Sequence, residues 1–574
     1  VTSETPSLGG SDLPPDQSVV STLGDDSSNR WYLGLEVGTT GISAALLDRL
    51  TEAVYPIYWL SDSQESDRIF RLPSRVYLHR KSGGEIGETE VLQGFKPYLS
   101  WAIPHHFGED YAPCPLLQVS PTQKLFLGTF KQALQLLLST ISPQGGGDNI
   151  DSEDGDLTLP KNYQSGANGL TDQEFKTAYM SLSGVVVGCP TQASHAYGFN
   201  VRETILAAGL VKSPSQIWMV EDAIATWLSE WEPKIDEPTL IIDAGAATTE
   251  LMVMGISQEH DLTYADCFGV SVTYGGYDVN LDIICQFCAE NMIDWDGSYL
   301  VLPTPGTSQR THRDRLQQKL VLSALIDAIE SQKPSLQAGK NVTISLQENQ
   351  VKVTANELDR RVLVPFVKNL NREFNHLISK VGVSTVGIKR AICRGGNGSW
   401  SVLSQWLRQK LPNASIISIT DPESWCNYAI AQGLARLPLF PELLNYSSQQ
   451  YGDYFLLGEL LRVFGDLPLS IPEVMTRLEE RGVNTRCCKS QILAILKGQL
   501  PVGFIPSELD TPLIVPISKH PQIDIINQGA IFYQDVDSSY FVNLERSEMC
   551  LQYLQQLSRE YHQVLTEPLA IVQW

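Results

Sequence analysis

Residues 239–256 read TLIIDAGAATTELMVMGI. An unbroken apolar run delivers an acid, Asp243, then a turn of small residues, Gly245, Ala246 and Ala247. Two hydroxyls, Thr248 and Thr249, lead into a second apolar run. Short apolar runs bounded by turn residues fit strands buried on both faces. A small-residue turn flanked by hydroxyls brings backbone N–H groups and side-chain donors to a phosphate. The design occurs a second time nearer the start. Residues 31–48, WYLGLEVGTTGISAALLD, place Glu36 and then Gly38, Thr39 and Thr40 between two apolar runs. One such hairpin is ordinarily just a turn. Two copies in one chain predict two related lobes that close on a nucleotide.

A third segment, residues 389–407, KRAICRGGNGSWSVLSQWL, ends a strand in Gly395 and Gly396 before a helix. Such a turn lets a flat base or ribose approach the backbone. Strands are predicted at 32–37, 183–188, 217–220, 240–243 and 391–393, each ahead of turn residues. The spacing Asn200–Glu203 predicts a capping box opening the helix NVRETILAAGL. Leu363, Phe366, Leu370, Phe374, Leu377 and Val381 recur at helical spacing and stop at Gly382, a C-cap. NVTISLQENQVKVT reads as two strands joined by a polar turn at Glu348 and Asn349. Cys285 and Cys288 share a helix face in an apolar stretch and read as core rather than metal ligands. Repeated strand–turn–helix units give an α/β fold with ligands at the strand ends.

These segments resemble, in order, the first phosphate, second phosphate and adenosine motifs of the actin and seventy-kilodalton heat-shock-chaperone ATPase superfamily. Intervening stretches resemble the chaperone branch. LSGVVVGCPTQASHAYGFNVRETILAAGL carries its proline at Pro190, and IWMVEDAIATWL places Glu221 at its catalytic acid. VTYGGYDVNLDII carries Gly275 and Gly276, ESQKPSLQ carries Glu330 and Lys333, and DPESWCNYAIAQGLA, with Glu423, resembles the closing connecting segment. The resemblance covers about residues 31–440 and implies a two-lobed, ribonuclease H-like ATPase fold. Lobe I would span about 31–235 plus 421–440, and lobe II about 236–420. It implies ATP or ADP between the lobes with Mg²⁺. Gly38, Thr39, Thr40, Gly245, Ala246, Ala247 and Thr248 would meet the phosphates, with Gly275, Gly276, Glu330, Lys333, Gly395, Gly396 and Glu423 completing the nucleotide site. Glu36 and Asp243 would serve the metal. Lys96, Glu221, Asp243 and Thr248 would be the catalytic set, with Lys96 in the role of the water-positioning lysine.

The departures from that pattern gather on the nucleotide. Glu36 and Glu250 stand where the family has aspartates, and Ala246 and Ala247 where it has glycines. Pro334 and Ser399 replace two arginines that would sandwich the adenine. The expectation is a divergent chaperone-like ATP-binding protein, a nucleotide-dependent switch or chaperone-like factor with weak or slow hydrolysis. The alternative is a pseudo-ATPase acting as a protein-interaction scaffold. A sugar or small-metabolite kinase needs a general-base aspartate beside a substrate hydroxyl, and no segment offers one convincingly.

The rest of the chain is read from composition. Residues 1–30 are polar and acidic and predict a disordered tail. Residues 142–168, SPQGGGDNIDSEDGDLTLPKNYQSGAN, predict an exposed flexible insert. Residues 446–574 read as a separate, mixed or mostly helical module, with helices at 451–464, 471–481 and near 549–565, and a protein partner or client is expected there. A net charge of −23 on 574 residues argues against nucleic acid. No apolar run approaches the roughly 18 residues of a membrane span. Ten scattered cysteines fit a reducing, cytoplasmic compartment.

Overall fold

The computed structural model describes residues 29–570 apart from 62–67, 83–84, 108–111, 121–122, 146–148, 192, 232–236, 256–261, 289–303, 308–319, 347–348, 419–427, 506–513, 516–520 and 558–560. Residues 1–28, Glu348 and Glu423 therefore lie outside the described residues. The chain is a mixed α/β structure with several sheets.

The run containing Glu36 forms strand Trp31–Val37, and every residue of it is buried. It turns back antiparallel into Gly41–Asp48. Its other edge takes Leu182–Cys189 in parallel, followed by Ile217–Glu221, also parallel. Thr239–Ala244 behaves alike: fully buried, antiparallel to Thr249–Met254, and parallel to Arg390–Arg394, with Ser415–Ser418 parallel beyond. Both sheets thus place an apolar strand at the centre, a hairpin partner on one side and parallel strands on the other. A central strand covered on both faces needs a near-continuous apolar sequence, and both central strands have one.

Two helices fill the space between the sheets. Asp222–Ser229 and Ala429–Arg436 share one buried cluster with Tyr32 and Val186 of the first sheet and Ile241 and Ile392 of the second. The helices cross at Gly433, where a Cβ would sit 1.8 Å from the Ala225 carbonyl oxygen. Ala429–Arg436 also rests on Gly34, whose Cβ would lie 2.3 Å from the Ala431 carbonyl oxygen. Glycine at both places lets backbone meet backbone.

Three sequence expectations need correction. Residues 142–168 are not a structureless insert: they contain strands Asn149–Ser152, Gly155–Thr158 and Tyr163–Ala167. The last adds an edge to the first sheet against Ala53–Ser61, and Gly155–Thr158 pairs with Arg75–Ser82. Edge strands are held by backbone pairing, which polar residues supply as well as apolar ones. The expected capping box at Asn200 and Glu203 lies inside helix His195–Ala207, whose N-cap is Ser194. Asn200 Nδ2 instead donates to the carbonyls of Leu99 and Ala102. Helix Val364–Val381 does stop at Gly382, in the left-handed region with φ 76°.

The third correction concerns the C-terminal region. Its described part is mostly helical, with Asp453–Val463, Ile471–Glu480, Thr485–Leu496 and Leu544–Leu557, plus the small hairpin Phe532–Gln534 and Tyr540–Val542. It packs against the rest of the chain. Its core takes in Ile103 and Phe199. The buried Glu203 carboxylate accepts the backbone N–H groups of His562 at 2.9 Å and Gln563 at 3.3 Å. The expected helix near 549–565 runs instead from Leu544 to Leu557.

Candidate functional site

Both hairpin turns close with one backbone bond of the same kind. Gly38 N–H donates to the Gly41 carbonyl at 3.0 Å, and Gly245 N–H to the Thr248 carbonyl at 2.9 Å. The turns line one cleft of about 700 Å³ from opposite sheets: Gly38, Thr39 and Thr40 on one wall, Gly245, Ala246, Ala247 and Thr248 on the other. Gly395 and Gly396 line the same cleft. Gly395 has φ +84°, and a Cβ there would meet the Ala244 carbonyl oxygen at 2.3 Å, so the second hairpin and this turn fit only through glycine.

Charged groups concentrate between the turns. Glu36, the penultimate residue of its central strand, has its carboxylate engaged at both oxygens: Arg71 donates to Oε1 at 2.7 Å and the Ser43 hydroxyl to Oε2 at 2.5 Å. Arg71 was not legible in sequence. It comes from the stretch before Leu72–Pro73, which pairs with Gly41–Ile42, and the following Ser74 N–H donates to the Thr40 carbonyl at 3.1 Å. Asp243 mirrors Glu36 on the second sheet. Burial pushes its carboxyl up to about 8, and Asp222, Glu36 and Glu250 push the same way. Glu250 lies deep in the wall, accepting from the Ser271 hydroxyl at 2.8 Å.

Lys96 lies in this cleft, 3.5 Å from Asp222 Oδ2. Burial disfavours its charge, but Tyr197, Asp222 and Glu36 outweigh that and hold the ammonium above its ordinary range. Glu221 ends strand Ile217–Glu221, is absent from the cleft lining and accepts from the Tyr264 hydroxyl at 2.6 Å. The next residue, Asp222, starts the inter-sheet helix and faces the cleft.

Other expected residues support the site from behind. Gly276 N–H donates to the Gly245 carbonyl at 3.0 Å, and a Cβ on Gly275 would lie 2.5 Å from the Ala246 carbonyl oxygen. Lys333 Nζ donates to the Gly276 carbonyl at 3.2 Å, and Glu330 accepts from Asn280. None of these four lines the cleft; Gln337, one turn beyond Lys333 on the helix Leu320–Gln337, does. At the same end Arg394, paired with Glu230, brings a planar guanidinium where the sequence predicted no stacking cation. Arginine stacks on flat rings. One wall also includes Val502, from the C-terminal region.

Among the described residues no group of three or more His, Cys, Asp or Glu side chains is arranged to hold a metal ion directly. No helix of the described residues is long and apolar enough to cross a membrane. No protein-family model matches the chain, and no curated protein matches its sequence.

Proposed function

We propose that this chain is a divergent member of the actin and heat-shock-chaperone ATPase superfamily. In this reading it binds ATP and ADP between two lobes built on the two sheets, hydrolyses ATP slowly, and serves as a nucleotide-dependent switch or chaperone-like factor. The observation that carries the reading is the meeting of two like hairpin turns and the Gly395–Gly396 turn around one cleft. Backbone donors at such turns suit phosphate, and the glycine turn with Arg394 suits a base or ribose.

The phosphates would lie between the turns, where Thr39, Thr40 and Thr248 offer hydroxyls and Arg71 and Lys96 offer positive charge. Fixed donors and cations aimed at the phosphoryl group stabilise the charge of a loose transition state, which is most of what such a reaction asks of a protein. The donor set on the carboxylate wall is all oxygen, which suits Mg²⁺. With Glu36 held by Arg71 and Ser43, and Glu250 held by Ser271 and the Thr191 N–H, Asp243 is the carboxylate that would hold a Mg²⁺ ion keeping most of its waters. Such an ion would neutralise charge on the phosphate oxygens. Ala246 and Ala247 put β-carbons on the cleft wall where the phosphates would lie, which supports slow rather than efficient turnover.

The engaged state of Glu36 supports a second reading, a pseudo-ATPase that retains the cleft as part of a protein-interaction scaffold. Calorimetric titration with ATP and ADP, each with and without Mg²⁺, separates the two from an empty cleft. Micromolar binding is the expected result; no heat at millimolar nucleotide would sink the proposal. Binding without phosphate release would leave the scaffold reading.

A further inference from the structure

Resting on the ATPase reading above, we infer that Asp222, not Glu221, is the catalytic acid that works with Lys96 on the attacking water. The two acids are neighbours in sequence and opposed in space. Glu221 lies outside the cleft lining, bonded to Tyr264. Asp222 lines the cleft with Oδ2 3.5 Å from Lys96 Nζ. Its position is prepared by the neighbouring strand. At Gly188 in Leu182–Cys189 a Cβ would come within 2.1 Å of Asp222 Oδ1, so any larger residue would displace the carboxylate. Oδ1 is buried there without a hydrogen-bond partner, which leaves Oδ2 as the oxygen turned to Lys96. An acid held against a glycine and beside a buried ammonium has its orientation fixed before substrate arrives.

The step follows from this placement. Lys96 donates a hydrogen bond to a water, and Asp222 Oδ2 accepts one of its protons. The water oxygen forms a bond to the γ-phosphorus while the bond to the β,γ-bridging oxygen breaks. ADP leaves with that electron pair, inorganic phosphate forms, and the proton on Asp222 returns to solvent. Burial, with Glu36 and Glu250 nearby, raises the Asp222 carboxyl to about 6, close to a base poised for neutral pH.

The test is steady-state release of inorganic phosphate from ATP by the full chain, with Asp222→Asn, Glu221→Gln and Lys96→Met. Asp222→Asn should lower kcat on the order of 100-fold with KM changed less than threefold. Glu221→Gln should stay within about twofold of the unmodified protein, and the Lys96→Met/Asp222→Asn pair should be no slower than either single change. Gly188→Ala keeps the carboxylate but displaces it, and should also lower kcat; thermal melting of each variant reports whether it folds. Loss of turnover in Glu221→Gln with retention in Asp222→Asn overturns the assignment and leaves the ATPase reading standing. Absence of turnover in the unmodified protein, with nucleotide bound, overturns the hydrolytic reading itself.

Discussion

Arg71 holds the one carboxylate that the first hairpin points into the cleft, and its removal has two consequences. Glu36, about 8% exposed, would keep Ser43 but lose its counter-ion. An under-compensated buried acid of this kind costs about 1–3 kcal/mol. Arg71→Ala should therefore lower stability by that amount in urea unfolding. It should also weaken ATP binding about tenfold, equivalent to about 1.4 kcal/mol, in calorimetric titration. Unchanged affinity would show that Arg71 serves Glu36 alone. Asp243 gives a pH dependence with a definite sign. Its carboxyl titrates near 3.8 when free and is raised to about 8 in the fold. Between those values the native state keeps a proton that the unfolded chain has released. Stability should therefore fall as pH rises through this window. Asp243→Asn should flatten that slope in denaturant titrations from pH 5 to pH 8.5; an unaltered slope would assign it to another group.

At the scale of elements, what could be read from sequence followed from burial. Strand Thr239–Ala244 contains the expected 240–243, and Leu182–Cys189 contains 183–188, because a strand buried on both faces must be apolar throughout. Edge strands give no such signal. Tyr163–Ala167 is built of YQSGA, and its place was fixed by backbone pairing with Ile57–Ser61. Amides on this strand should exchange with deuterium far more slowly than a loop of the same composition; exchange within seconds would contradict the pairing. The helix opened by Ser194 was misplaced for a related reason. Asn200 and Glu203 have the spacing of a cap, yet both are buried side chains that fasten other segments. Spacing alone does not separate a cap from a tether. The order Glu221-Asp222 hid the cleft-facing acid in the same way. Which of two adjacent acids faces inward depends on where the strand ends and the helix begins, and helix boundaries are where sequence is least informative.

For the whole molecule, the C-terminal region is tied to helix His195–Ala207 and to strand Leu116–Gln118 by contacts far apart in sequence. His195 Nε2 lies 3.1 Å from Asp453 Oδ1, Leu117 bridges to Ile514, and Glu203 receives His562 and Gln563. None of these pairings has a local signature, so the sequence did not show how the region packs on the rest of the chain. Glu203→Ala would leave the backbone N–H groups of residues 562 and 563 without their acceptor, a loss of about 1–3 kcal/mol. Residues 446–574 should then be cut faster by trypsin at low dose while the sheets stay protected. Equal cutting rates would mean the contacts contribute little to docking.

The contact at Val502 and Gly503 carries this further. Val502 lines the cleft, and Gly503, at φ +73°, sits so near Trp101 and Ala102 that a Cβ would fall 2.2 Å from the Ala102 Cα. A small molecule in the cleft would thus touch a wall that the C-terminal region supplies, and a macromolecule bound to that region would be coupled to it only through that wall. If occupancy of one shifts that wall, the two affinities are bound by reciprocity: the factor by which the first alters the second equals the factor by which the second alters the first. Measuring either side of that cycle would fix the other.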